Sequence, residues 1–230
     1  GMIVAGIPVP VAMLAALVIG VIFGVVSGFL VTKGRLQPFI ATLITMTVYR
    51  GVTMIYTEGK PISGLGSSAF LKFIGKGTVF GIPFPVIVLV VVFAIFYFVL
   101  NKTTFGRRIY ATGSNAECAK LAGVNINKTK LIAYGVSGLM SAMAGLILLS
   151  RLSSAQPTLG SGYELDAIAA VALGGTSMNG GRGKITGTLF GVLIIAVLSN
   201  GMNILGISSY YQDVVKGIVI LLAVLSDRKR

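Results

Sequence analysis

The sequence predicts an all-α fold, a polytopic bundle of transmembrane helices. Hydrophobic residues make up 55% of the 230 residues and charged residues only 11%, whereas a soluble domain is about one-quarter charged. Apolar runs close to the roughly 20 residues that span a bilayer recur along the chain. No polar stretch between them is long enough for a separate soluble core, so we expect one transmembrane domain over 1–230.

Seven segments are candidates for membrane spans. They are 9–32, 38–57, 85–100, 131–150, 164–180, 186–205 and 210–226. The first, third, fourth and sixth are clean apolar runs. The fifth opens with Glu164 and Asp166 and contains Gly174-Gly175, so we expect a short or broken helix there.

The basic residues predict the orientation, because Lys and Arg favour cytoplasmic loops. Most of them fall on one side of the predicted bundle, in 33–37, 101–130, 181–184 and the C-terminus. The other side holds few, in 58–84, 151–163 and 206–209. We therefore expect the 101–130 loop and the C-terminus to be cytoplasmic. The net charge of +13 then reflects topology rather than nucleic-acid binding.

Several chemistries are disfavoured by the residue inventory. One cysteine, Cys118, cannot form an intrachain disulfide, and the absence of histidine removes histidine-based zinc sites and general bases. The run 180–184, GGRGK, fails as a Walker A loop because Met178 replaces the first glycine and Ile185 the final Ser or Thr. We expect no catalytic residue, no metal site and no cofactor on this chain.

Glycines recur at the spacing of close helix packing. Gly20, Gly24 and Gly28 form a double GxxxG pattern, and Gly187 and Gly191 form another. In lipid, small residues let two helix backbones approach closely, which stabilises their contact by van der Waals packing. Both patterns predict helix–helix interfaces.

A weak internal repeat points to a transporter. Residues 20–34 resemble 187–201, and 48–52 resemble 214–218, at offsets of 167 and 166. The first and sixth predicted spans have opposite directions, so the repeat is inverted, as in many transporters. A unit of five helices would make a ten-helix protein of which about three N-terminal helices are missing here.

The 101–130 loop contains a short predicted helix. Ser114 and Glu117 fit a capping box, and Gly123 fits a left-handed stop, so we expect a helix over 115–122. Its apolar side would carry Cys118, Leu121 and Ala122. Such a helix suits either docking to a partner or resting on the lipid surface.

The same segment resembles a known motif. Glu117-Cys118-Ala119-x-x-x-Gly123 is similar to the EAA loop of ABC importer permeases, with Cys in place of the second Ala. The segments GRRIYATGSNAECAKLAGVNINKTK, RLSSAQPTLGSGYELDAIAAVALGGTSMNGGRGKITGTL and GISSYYQDVVKGIVILLAVL extend the resemblance. On these stretches the chain is identified as a member of the ribose-type monosaccharide permeases.

The resemblance implies a transport subunit rather than an enzyme. Its partners would be an ABC ATP-binding subunit, a second permease copy (identical or a close paralogue), a periplasmic or lipid-anchored sugar-binding protein and membrane lipid. It implies coupling to the ATPase through Gly106, Arg107, Ser114, Asn115, Glu117, Ala119 and Gly123.

Candidate residues for the translocation path or its outer mouth are mostly polar groups in or beside spans. They are Arg50, Gln156, Tyr163, Glu164, Asp166 and Asn200. A charge at mid-membrane costs at least about 2.5 kcal/mol, so Arg50 and Lys216 should face the bundle, a cavity or the interface. For Lys216 we expect an ion pair with Asp213 one turn away.

Other functions remain open. A secondary transporter or channel would need coupling-ion ligands in mid-span, and a membrane scaffold would not need the repeat or the capped helix. Within the importers, the cargo could instead be autoinducer-2, another sugar or branched-chain amino acids.

Overall fold

The computed structural model of the chain describes residues 1–64 and 69–227. Ten helices lie in these ranges: α1 (Val9–Thr32), α2 (Pro38–Thr57), α3 (Ala69–Lys76), α4 (Phe84–Lys102), α5 (Thr104–Ser114), α6 (Ala116–Leu121), α7 (Ile126–Leu152), α8 (Tyr163–Leu173), α9 (Ile185–Ile204) and α10 (Ser209–Asp227). A small hairpin pairs β1 (Thr78–Val79) antiparallel to β2 (Ile82–Pro83). Arg228, Lys229 and Arg230, used above for orientation, lie outside the described residues.

Five of the described helices, α1, α2, α4, α7 and α9, are long and apolar enough to cross a membrane. Proline in the first turn, as at Pro38, begins a helix without losing a hydrogen bond. The span predicted over 164–180 is wrong in its extent, since α8 has 11 residues and ends before Gly174-Gly175. The polytopic all-α prediction is confirmed.

The helices form two compact units. One comprises Gly1–Val91 and Asn125–Leu159, and the other Val92–Val124 and Gly160–Arg230. Helix α4 begins in the first unit and ends in the second. The single domain over 1–230 stays a prediction.

In the first unit, α1 packs closely against α7. A Cβ on Gly20 would lie 2.8 Å from the carbonyl oxygen of Gly138, and one on Gly24 would overlap the carbonyl of Tyr134. A Cβ on Gly28 would lie 2.9 Å from the Cβ of Tyr134. The helices therefore meet backbone to backbone, and the first GxxxG prediction is confirmed.

The C-terminal end of α7 contacts α3. The sequence predicts that the segments around this contact lie on the membrane side opposite the 101–130 loop. The Ser150 hydroxyl donates a hydrogen bond to the carbonyl of Leu71 in α3. Ile62 and Ala155 exchange two backbone hydrogen bonds of 2.9 Å. Loops that touch in this way are expected on one side of a membrane, so the contact supports the grouping of 58–84 with 151–163, which stays a prediction.

In the second unit, α8 packs against α9 and α10. A Cβ on Gly191 would overlap the carbonyl of Ala170, and one on Gly187 the carbonyl of Gly174. Ala169, Ala170 and Ile195 are the buried apolar residues of this contact. The second GxxxG prediction is therefore confirmed as well.

Candidate functional site

The predicted cytoplasmic helix exists and is capped by Asn115. This helix, α6, spans Ala116–Leu121, and the side-chain oxygen of Asn115 accepts a 3.0 Å hydrogen bond from the backbone N–H of Cys118. The prediction of Ser114 as the cap is wrong by one residue, because α5 runs to Ser114 and leaves the extended backbone at Asn115. Glu117 lies in the first turn, where its negative charge interacts favourably with the positive end of the helix dipole.

Gly123 ends α6 as predicted. Its φ is +79°, and the backbone N–H groups of Gly123 and Val124 donate to the carbonyls of Lys120 and Ala119, each at 3.0 Å. These two bonds form a Schellman motif, which needs a left-handed residue at this position. A Cβ at Gly123 would meet open space, so backbone conformation rather than crowding requires glycine there.

The exposed side of α6 is partly apolar. Ala119 is 4% exposed and packs inward, whereas Leu121 is 89% exposed and Glu117 and Cys118 are also exposed. The apolar side predicted from Cys118, Leu121 and Ala122 therefore faces away from the unit that carries the helix. Leu121 and Glu117 are therefore available for contact with another surface.

Helix α5 precedes α6 and was not predicted. The Thr103 side chain caps it by accepting from the N–H of Gly106 at 3.3 Å. Gly106 is buried, and a Cβ there would lie 2.6 Å from the carbonyl carbon of Leu100. Arg107 is exposed. The glycine lets α5 turn back against the end of α4, and the Thr103–Gly106 spacing is the local signal that could have identified the helix.

The end of α5 contacts the 177–184 loop. The Tyr110 hydroxyl donates a 3.0 Å hydrogen bond to the carbonyl of Gly183. A Cβ on Gly180 would lie 2.8 Å from the carbonyl oxygen of Gly113. This contact, which nothing in the sequence predicted, supports the grouping of 101–130 with 181–184 on one membrane side, and the grouping stays a prediction.

Of the residues predicted for the path, Asp166 has a defined partner. The Lys216 ammonium lies 3.0 Å from the Asp166 carboxylate, and both side chains are about one-quarter exposed. The prediction that Lys216 pairs with Asp213 is wrong, because α8 brings Asp166 to α10. The pair explains how a lysine is accommodated seven residues into an apolar helix.

The other predicted path residues are not gathered into one cluster. Arg50 is half-buried and takes part in neither ion pair of the described ranges. Gln156, Tyr163, Glu164 and Asn200 are exposed. Their roles stay predictions.

A polar contact that sequence reasoning missed joins α9 to α10. The side chain of Gln212 is buried and donates 2.9 Å hydrogen bonds to the side-chain oxygen of Asn203 and to the carbonyl of Ile207. A buried amide is stable only when it is paired. The sequence feature that could have indicated this contact is a glutamine at the start of an apolar segment, close to Asp213 and Lys216.

The first unit contains an open cavity of about 610 Å³ between α1, α2 and α7. Phe23 and Tyr49 stack in its wall with ring centroids 4.1 Å apart, and the Tyr49 hydroxyl donates to the carbonyl of Phe23. Ser27 and Thr45 are hydrogen-bonded at 3.0 Å. No charged residue lines this cavity, so its hydroxyl groups are its polar feature.

Comparisons with known proteins agree on a family of permeases. The family model for the branched-chain amino acid transport system permease component matches residues 1–224. The ribose import permease protein of Bacillus subtilis is 56% identical over 230 residues, which cover 100% of this chain and 71% of that protein. The ribose import permease protein of Escherichia coli K12 is 53% identical over 222 residues, covering 96% and 69%.

A further curated relative carries another cargo in its name. The L-arabinose transport system permease protein of Escherichia coli K12 is 45% identical over 203 residues, covering 88% of this chain and 61% of that protein. No solved structure matches the chain.

Proposed function

This chain belongs to the family of branched-chain amino acid transport system permease components, and on that premise we propose that it is the membrane-spanning subunit of an ATP-driven ribose importer. The observation that carries the proposal is the 56% identity to a ribose import permease over the whole chain. The lower identity to the arabinose permease, 45%, favours ribose over that pentose.

The surface of α6 supports an ATP-binding subunit as partner. The helix is fixed at both ends, by Asn115 and by Gly123, and presents Leu121 and Glu117 outward. A lipid-resting helix would have little use for a rigid double cap. In this proposal ATP is bound and hydrolysed on the partner, and no cofactor is expected on this chain.

We infer two further partners and an orientation from the same function. A second permease copy, identical or a close paralogue, completes the path, and an external sugar-binding protein delivers the cargo. The 101–130 loop and the C-terminus face the cytoplasm of a bacterial cell, since most basic residues lie on that side. Lipid covers the apolar exterior.

A secondary transporter is the second candidate, and the Lys216–Asp166 pair weighs against it. Such a protein needs intramembrane carboxylates to bind a coupling ion. Asp166 is the described carboxylate that enters the bundle, and a lysine 3.0 Å away already neutralises it. Glu164 is exposed at the start of α8.

Variants of α6 test the proposed coupling to an ATPase. Leu121→Ala removes an exposed apolar contact without disturbing packing, and Gly123→Val places a β-branched residue at φ +79°. Both should leave membrane expression of the full-length protein unchanged. Co-purification of the ATP-binding subunit should fall several-fold for Leu121→Ala, the loss expected of an interface residue worth about 1 kcal/mol. It should fall at least tenfold for Gly123→Val, because strain at this position distorts the end of α6.

Matched controls lie in the same unit. Leu205 is 77% exposed and Gly206 has φ +70° with open space around it, so Leu205→Ala and Gly206→Val change similar residues elsewhere. They should retain the ATP-binding subunit. Equal retention by both α6 variants would remove α6 as the docking element.

A further inference from the structure

We propose that the loop 177–184 is a second coupling element. It transmits movement of α6, the helix proposed to dock the ATPase, to helices α8 and α9. The inference rests on the proposed function, because it assigns a role within the same transport cycle. It concerns the run Gly180-Gly181-Arg182-Gly183-Lys184, which does not match a Walker A loop and whose glycines are otherwise unexplained.

The first contact is a hydrogen bond across 73 residues of sequence. The Tyr110 hydroxyl of α5 donates to the carbonyl oxygen of Gly183 at 3.0 Å. Tyr110 is half-buried and lies five residues before Asn115, the cap of α6. A displacement of α6 that is carried into α5 therefore acts directly on the loop.

The second contact is steric and involves only backbone. A Cβ on Gly113 would lie 2.5 Å from the backbone nitrogen of Gly181, and one on Gly180 would lie 2.8 Å from the carbonyl oxygen of Gly113. Gly180 and Gly181 also have φ of +91° and +73°. Two backbones in such close contact cannot slide past each other, so a movement of α5 displaces the loop.

The loop is held as a unit by its own hydrogen bonds. The backbone N–H of Ser177 donates to the carbonyl of Arg182 at 2.9 Å, and that of Gly180 donates to the carbonyl of Ser177 at 3.2 Å. The Ser177 hydroxyl accepts from the N–H of Asn179 at 3.3 Å. Because these hydrogen bonds hold the loop in one conformation, a displacement at one end of the loop also moves its other end.

The loop lies in the connection between α8 and α9, two helices that pack closely on each other. Helix α8 ends at Leu173 and α9 begins at Ile185. A Cβ on Gly174 would lie 2.6 Å from the carbonyl carbon of Gly187. The contacts thus run from α6 through α5 and the loop to the α8–α9 pair. Asp166 of α8 in turn forms the ion pair with Lys216 of α10.

Two variants of the full-length permease, assembled with its ATP-binding subunit and binding protein, test the inference. Tyr110→Phe removes one hydroxyl, and Gly181→Ala inserts a methyl group 2.8 Å from the Ser114 nitrogen. Both complexes should still contain the ATP-binding subunit. Ribose uptake should fall several-fold for Tyr110→Phe and at least tenfold for Gly181→Ala. ATP hydrolysis should continue but lose its stimulation by the ribose-loaded binding protein.

Matched controls separate coupling from general strain. Gly206→Ala carries the same left-handed backbone, φ +70°, in open space, and Tyr210→Phe alters an exposed tyrosine. Both should transport and be stimulated like the parent. If Gly181→Ala and Tyr110→Phe also behave like the parent, the loop is not a coupling element. Loss of the ATP-binding subunit from these two complexes would equally contradict the inference, by making the loop a support of the docking surface. A parent complex without ribose uptake would instead contradict the proposed function.

Discussion

At the scale of single residues, the ion pair between Lys216 and Asp166 shows what sequence can and cannot locate. Lys216 is a charge within an apolar segment and needs a partner, and the spacing along one helix predicts Asp213, one turn away. The structure pairs it with Asp166, 50 residues distant. A rule for neighbours on one helix cannot include a carboxylate that another helix supplies.

The pair should be energetically coupled. Asp166→Asn and Lys216→Met should each lower the thermal unfolding midpoint in detergent, because each leaves a partly buried charge without its partner. The double variant should be less unstable than the sum, with a coupling of about 1–2 kcal/mol. Glu58 and Lys60, an ion pair whose side chains are 75% and 77% exposed, serve as the control and should show no measurable coupling. Additive effects at Asp166 and Lys216 would contradict the assignment.

At the scale of elements, glycine spacing predicted which helix faces meet, but not their partners. Gly20 and Gly24 were expected at an interface, and they lie against the backbone of α7. The short helices α3 and α5 were missed because neither has a long apolar period. Gly75 of α3 fits only against the backbone of Ser150 and Arg151, a tertiary contact that no local pattern reveals.

The packing of α1 on α7 can be tested by adding one methyl group. Gly24→Ala should destabilise the protein by about 1–3 kcal/mol, because the new carbon overlaps the Tyr134 carbonyl. Gly51→Ala is the matched control, since Gly51 is also helical but faces open space. It should be neutral or slightly stabilising, as alanine favours helix by about 0.5–1 kcal/mol. Thermal unfolding in detergent compares the two, and equal midpoints would argue against the close α1–α7 contact.

At the scale of the whole molecule, the loop contacts support the predicted membrane sidedness and the repeat. Ile62 meets Ala155 in one unit, and Tyr110 meets Gly183 in the other. The repeat aligns Gly20 with Gly187 and Gly24 with Gly191, and each of the four lies against a backbone carbonyl of a neighbouring helix. Shared packing at aligned positions favours a real repeat over a chance match.

Cysteine accessibility tests the orientation. With Cys118 first replaced by alanine, cysteines at positions 60 and 209 should react with a membrane-impermeant maleimide in intact cells. Those at positions 120 and 228 should react only after permeabilisation. Labelling of position 120 from outside would reverse the orientation and, with it, the assignment of α6 to an ATPase.

Uptake into proteoliposomes is the decisive measurement of ATP-driven ribose import. Vesicles would contain the full-length permease with its ATP-binding subunit, ATP inside and the binding protein outside. We predict that labelled ribose accumulates, that arabinose and leucine accumulate far less, and that dissipating ion gradients with an ionophore has no effect. Accumulation that needs an ion gradient and persists without ATP, or no accumulation of ribose at all, would contradict the account.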